Sequence, residues 1–211
     1  NYINTEKINP VYQYNYDFIL YDFGSNYFYN RYKKIFYYFG YKSLNLNCKN
    51  EVCSNILINN NFQFYYARFD YLIDSRDILI DPISGYYFNL NLAINRDFKN
   101  NQFNYYPFFI KFQKFFKINS KELVFSIKSK ILYQFGTLPM ISKKYIGGED
   151  YVRGYSPIPN LNHKKYSALI EGYHIIYQSF ELQNTFLKRK NYLIDNNTGI
   201  EFGIDYIIFI D

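Results

Sequence analysis

The sequence predicts an all-β fold, an antiparallel transmembrane β-barrel of about nine strands, and three observations carry that reading. Apolar and polar residues alternate with a period of two between turn signals, whereas helix-period patterns are scarce. Aromatic residues make up 23% of the 211-residue chain, with 27 Tyr, 22 Phe and no Trp. A water-soluble core cannot easily bury so many large rings, but a membrane barrel uses them as girdles at both interfaces. No stretch reaches the roughly 18 consecutive apolar residues of a spanning helix, which argues against a helical membrane protein.

The strands follow from the alternation. In Phe88–Ile94 the residues Phe88, Leu90, Leu92 and Ile94 share one face, while Asn89, Asn91, Ala93 and Asn95 share the other. One face suits lipid and the other suits water. Leu123–Ile131 repeats the pattern, with Leu123, Phe125, Ile127 and Ile131 outward and Ser126, Lys128 and Lys130 inward. Near the C-terminus, Ile204, Tyr206, Ile208 and Ile210 fall on the lipid side, with Asp205, Phe209 and Asp211 toward the lumen. Further strands are expected at Val11 to Phe23, Tyr32 to Leu46, Ile56 to Tyr71, Tyr105 to Phe116 and Tyr173 to Phe186, with another candidate at Tyr166 to Glu171. In the first three of these, aromatics on both faces blur the register. Spans of about nine to eleven residues would suffice for a tilted membrane strand. Turns are expected at Asp81-Pro82-Ile83-Ser84-Gly85, at Asn100-Asn101 and at Asp195 to Gly199.

Charge and cysteine usage narrow the classes. The formal charge is +6, yet the cations are scattered among strands and turns with no dense basic run, so they read as lumen and loop charge and no nucleic-acid partner is expected. Cys48 and Cys53 fit either a small loop disulfide in an oxidising compartment or two separate thiols. His163 and His174 lie in different segments, neither at a zinc-like spacing from cysteine, so no metal site is expected. The chain opens at Asn1 without Met, which suggests that an N-terminal part has been removed or omitted.

One stretch departs from the strand pattern. Tyr145-Ile-Gly-Gly-Glu-Asp-Tyr-Val-Arg-Gly-Tyr155 places an arginine among glycines. Gly147, Gly148 and Gly154 permit a tight loop that presents Val152, Arg153, Gly154 and Tyr155 at its tip. The letters Gly147-Gly148-Glu149-Asp150-Tyr151 are similar to a diguanylate cyclase signature, but that enzyme requires an α/β domain and a further metal-binding Asp, where this region supplies strands.

Three stretches, in this order, resemble the barrel of the Omp85 superfamily, the BamA-like bacterial surface antigens. Asp70, Arg76 and Asp77, followed by Pro82 and Gly85, are similar to the family's strand pair with its Pro-x-x-Gly turn. The Gly147 to Tyr155 loop is similar to the family's sixth extracellular loop. Ile207-Ile-Phe209-Ile-Asp211 is similar to its Phe-x-Asp strand, and Ser179-Phe-Glu181-Leu182 resembles the strand between. The resemblance covers roughly residues 60 to 211 and implies a sixteen-stranded barrel type, of which about nine strands are present here.

The resemblance also implies that the loop folds back into the barrel, where Arg153 pairs with Glu181 and Asp211 on the inner wall. The strand parity, read without it, likewise puts both carboxylates inside. The implied function is insertion and folding of client β-barrels in the outer membrane of a bacterium or an organelle of bacterial descent. The implied partners are the lipid bilayer, unfolded outer-membrane clients, and accessory assembly lipoproteins or periplasmic chaperones. No cofactor and no enzymatic activity are expected. A polypeptide-secretion pore of the same superfamily and a passive porin or structural membrane protein are the alternatives. Residues 1–211 are expected to form one outer-membrane barrel domain, incomplete at its C-terminus and without the family's N-terminal POTRA domains.

Overall fold

The computed structural model describes residues 2–8, 13–48, 61–79, 82–99, 101–118, 123–139, 142–146, 151–152, 171–193 and 199–210. Its strands are β1 (Tyr2–Ile8), β2 (Gln13–Asn30), β3 (Lys33–Cys48), β4 (Asn61–Asp74), β5 (Gly85–Asp97), β6 (Asn104–Lys117), β7 (Leu123–Gly136), β8 (Lys144–Tyr145), β9 (Glu171–Gly172), β10 (Ile175–Leu193) and β11 (Gly199–Ile210). Nine of them form one antiparallel sheet in the order β1-β2-β3-β4-β5-β6-β7-β10-β11, and β8 pairs with β9 alone. Every neighbour in the large sheet is the next of those nine strands along the chain, which is the up-and-down meander of a membrane barrel wall.

The strands differ from expectation in length. β2 has 18 residues and β10 has 19, well beyond the about ten that cross a bilayer at a tilt. Such hairpins extend past the hydrocarbon layer. The strand β1 was not foreseen, because Asn4, Thr5, Glu6 and Lys7 interrupt any apolar alternation. β2 runs on to Asn30 through Gly24-Ser25-Asn26, which reads locally as a turn. Of the candidate strand at Tyr166 to Glu171, only Glu171 lies among the described residues, in the short β9.

Burial separates the two faces of the sheet. On β7, Val124, Ser126, Lys130, Leu132 and Gln134 are buried, whereas Ile131, Tyr133 and Phe135 are exposed. On β10, Ile175, Tyr177, Ser179 and Glu181 are buried, and Ile176 and Phe180 are exposed. On β5, Asn95 and Asp97 are buried, and Leu92 and Ile94 are exposed. The covered face of these strands carries buried polar side chains alongside Val124, Leu132, Ile175 and Tyr177, while the open face carries aliphatic and aromatic ones. That inversion of the soluble pattern is what lipid on one side and a lumen on the other require.

The β2–β3, β4–β5, β6–β7 and β10–β11 connections share one end of the wall, and β7 connects to β10 from the other. The expected Asn100-Asn101 turn falls between β5 and β6. There Asn101 has a left-handed φ of 51°, a conformation asparagine tolerates, and its Oδ1 accepts a bond from Asn104 Nδ2 at 3.1 Å.

Candidate functional site: the lumen face of β7 and β10 with the loop packed on it

Cross-strand register sets the site. Glu181 lies opposite Ser126, Ser179 opposite Lys128, Tyr177 opposite Lys130 and Ile175 opposite Leu132, so these side chains share one face. Glu181 is buried, and its Oε2 sits 2.7 Å from Lys128 Nζ, one step diagonally along the ladder. Ser126 Oγ lies 3.5 Å from the same oxygen. Phe209 pairs in register with Glu181 and so occupies the same face of β11.

Described residues of the connection from β7 to β10 pack on this wall. Ile146, Tyr151 and Val152 pack against the cluster of Leu132, Ile175 and Tyr177. Lys130 Nζ stands 3.9 Å from the centroid of the Tyr151 ring and 5.7 Å from that of Tyr177, and the two rings meet edge to face at 5.7 Å. Gln134 Nε2 donates to the Ser142 carbonyl at 3.0 Å and to the Tyr173 carbonyl at 2.9 Å. His174 Nδ1 accepts from the Gln134 backbone N–H at 3.2 Å, and its ring stacks on Tyr133 at 4.1 Å.

The strand-turn motif forms a second polar element. Asp70 is buried on β4 and accepts hydrogen bonds from Arg68 Nε at 2.9 Å, from Arg68 Nη2 and from Asn91 Nδ2 of β5. Arg68 also lies over the Tyr38 ring at 5.2 Å. Beyond β4, Arg76 binds Asp74 through two bonds of 2.8 and 2.7 Å. These bonds hold the Arg76 guanidinium above its ordinary pKa, so the pair keeps its charges.

Asp77 organises the following turn. Its Oδ1 accepts from the backbone N–H groups of Ile78, Ile83 and Ser84 at 3.0, 3.1 and 3.3 Å. Gly85 starts β5 with φ of 98°, and a Cβ there would lie 2.3 Å from the Ser75 carbonyl oxygen. Pro82, three residues earlier in the chain, is half-buried. Asp77→Ala is expected to destabilise this turn by about 1–2 kcal/mol, because three N–H groups lose a charged acceptor that water replaces only in part. Faster proteolysis between β4 and β5, at an unchanged unfolding midpoint for the rest of the wall, is the expected result.

The expected site residues thus divide. Val152 and Glu181 are brought to one wall, and Asp70, Arg76, Asp77, Pro82 and Gly85 line the β4–β5 region. Gly147, Gly148, Arg153, Gly154, Tyr155 and Asp211 lie outside the described residues, as do Cys53 and His163. Sequence reading missed Lys128 as the partner of Glu181, and it missed Lys130, Gln134 and Tyr177 altogether as contacts of the loop. Their inward parity was legible, but the β7–β10 register that joins them across residues 137–174 was not.

A meander with a lipid-facing aromatic side, a polar lumen face and a loop packed on that face defines the wall of an outer-membrane β-barrel. The sequence profile of the Omp85 superfamily domain matches residues 7–199, and the chain belongs to the Omp85 superfamily. Its fold is similar to that in the crystal structure of BamA from Haemophilus ducreyi lacking POTRA domains 1-3, with a TM-score of 0.66 and 16% sequence identity. That likeness covers 89% of this chain and 41% of the other, so the chain spans less than half of that structure's length. Comparison with curated proteins finds no match. The family is one of non-enzymatic outer-membrane barrel proteins.

Proposed function

We propose that this chain, as one outer-membrane barrel domain, serves in the insertion and folding of other β-barrels. The observation that carries the reading is the loop between β7 and β10, whose Tyr151 and Val152 rest on Leu132, Ile175 and Tyr177 of the same wall face that carries Glu181. In this reading Arg153, next to Val152 in the chain, reaches Glu181 and Asp211 and joins the charge pair that Lys128 already makes. A carboxylate has acceptor sites for two donors, and Glu181 and Asp211 together would match the charges of Arg153 and Lys128.

In this reading client strands are templated at a weakly paired seam of the barrel. Backbone groups at such a seam suit an incoming client strand, which would be hydrogen-bonded there before it passes into lipid. The partners are then the bilayer, unfolded barrel proteins and the accessory lipoproteins or chaperones that deliver them.

The test is reconstitution of the full native chain into vesicles, followed by the rate at which an urea-unfolded barrel protein gains its folded, protease-resistant form. Acceleration over empty vesicles is expected, with Arg153→Ala reducing it and exposing residues 146–155 to protease. No acceleration, with solute efflux or passage of a single polypeptide instead, would replace this reading by a porin or a secretion pore.

A further inference from the structure

We propose that the wall strand β7 holds the loop through two anchors of its own, Lys130 near the tip and Gln134 at both stems, independently of the arginine. Lys130 is buried, and its ammonium lies 3.9 Å from the centroid of the Tyr151 ring, whose quadrupole attracts a cation most strongly where water is excluded. Tyr177, directly opposite Lys130 in the ladder, closes the other side at 5.7 Å and meets Tyr151 edge to face. The contact therefore joins one wall residue from each of β7 and β10 to one residue of the loop.

Gln134 does a different task. Its single amide nitrogen has two protons, and each goes to a different stem: Ser142 as the chain leaves β7, and Tyr173 as it returns to β10. The side chain is almost fully buried, so neither carbonyl can easily exchange it for water. One amide thus clasps both stems, and the β8–β9 ribbon lies between the clasped points. Lys130 and Gln134 are positioning residues. They fix how deep residues 142–146 and 151–152 sit on the wall, whatever Arg153 does beyond them.

Hydrogen exchange measured by mass spectrometry on the detergent-extracted full chain tests this, using four single variants. Lys130→Met keeps the length and apolar stem but removes the charge, and Lys130→Arg restores a cation. Gln134→Leu removes both amide bonds at similar volume, and Arg153→Ala probes the arginine separately. Lys130→Met is expected to speed exchange in residues 146–152 about tenfold while Lys130→Arg stays within about threefold of wild type. Gln134→Leu is expected to speed exchange in 142–146 and 171–174 together, with exchange in β5 and β6 unchanged in all variants.

Wild-type protection of 146–152 in Lys130→Met, or loosening of only one stem in Gln134→Leu, would overturn the anchors. If Arg153→Ala alone releases the loop and the two wall variants do not, the anchors fail and the arginine contact stands. The reverse pattern establishes the anchors and removes the arginine contact from the proposed function.

Discussion

Glu181→Gln is expected to lower the stability of the folded wall by about 2–3 kcal/mol, through loss of one partner of a partly buried ion pair. The Glu181 side chain is 8% exposed and that of Lys128 is 28% exposed. Glutamine can still accept from Ser126, so the deficit isolates the charge. Lys128 then loses its carboxylate partner on a wall where its neighbours Ser179 and Ser126 are neutral. Because Lys128 reaches some water, the loss falls below that of a fully buried pair.

The control is a double-mutant cycle. Lys128→Met alone should cost a similar amount, and the double variant should recover part of the sum, with a coupling of about 1–2 kcal/mol. Urea unfolding of the detergent-refolded chain reads all four corners. Single-variant losses below about 0.5 kcal/mol would mean that lumen water already screens the pair, as at an ordinary surface salt bridge.

A larger effect is expected at the β2–β3 hairpin. A Cβ at Gly40 would lie 2.2 Å from the Tyr21 carbonyl oxygen and 2.8 Å from Cε1 of Tyr66. The first contact is with the backbone of the neighbouring strand, so no rotamer change relieves it. Gly40→Val is therefore expected to cost about 3 kcal/mol or more, the upper end for overpacking, by prising β2 from β3. The Tyr66 ring occupies the space that glycine leaves, and its hydroxyl donates to Asp22 on β2 at 3.1 Å. Tyr66→Ala in the Gly40→Val background should restore only part of the loss, because the carbonyl contact remains. Full recovery would assign the clash to the ring alone.

These two sites show what the sequence made legible and what it did not. Alternation over Phe88–Ile94 and Leu123–Ile131 is clean because the lipid-facing positions are aliphatic or aromatic and the lumen-facing ones polar or small, and the burial of β7, and of β5 from Leu92 onward, follows it. The first strands were blurred because tyrosines and phenylalanines serve on both faces. Tyr37, Phe39 and Tyr41 look outward, while Tyr38 and Tyr66 pack inward over small neighbours. A ring has the same letter whether it meets lipid or fills a gap over glycine.

The site was legible to the same depth. Parity alone placed Glu181 and Lys128 on the lumen side, but their pairing depends on a register set across the long connection between β7 and β10. The Asp77 turn was visible as a motif, whereas the three backbone N–H groups on one carboxylate oxygen are a property of the folded loop. Local pattern fixes which face a side chain takes, and long-range register decides whom it meets.

Depletion of the protein in the cells that make it, followed by quantitation of folded barrel proteins in the outer membrane, tests the central claim most directly. The expected result is a broad fall in several unrelated barrels, with unfolded precursors accumulating in the periplasm. Unchanged barrel levels, with loss only of one exported polypeptide or of solute permeation, would contradict it.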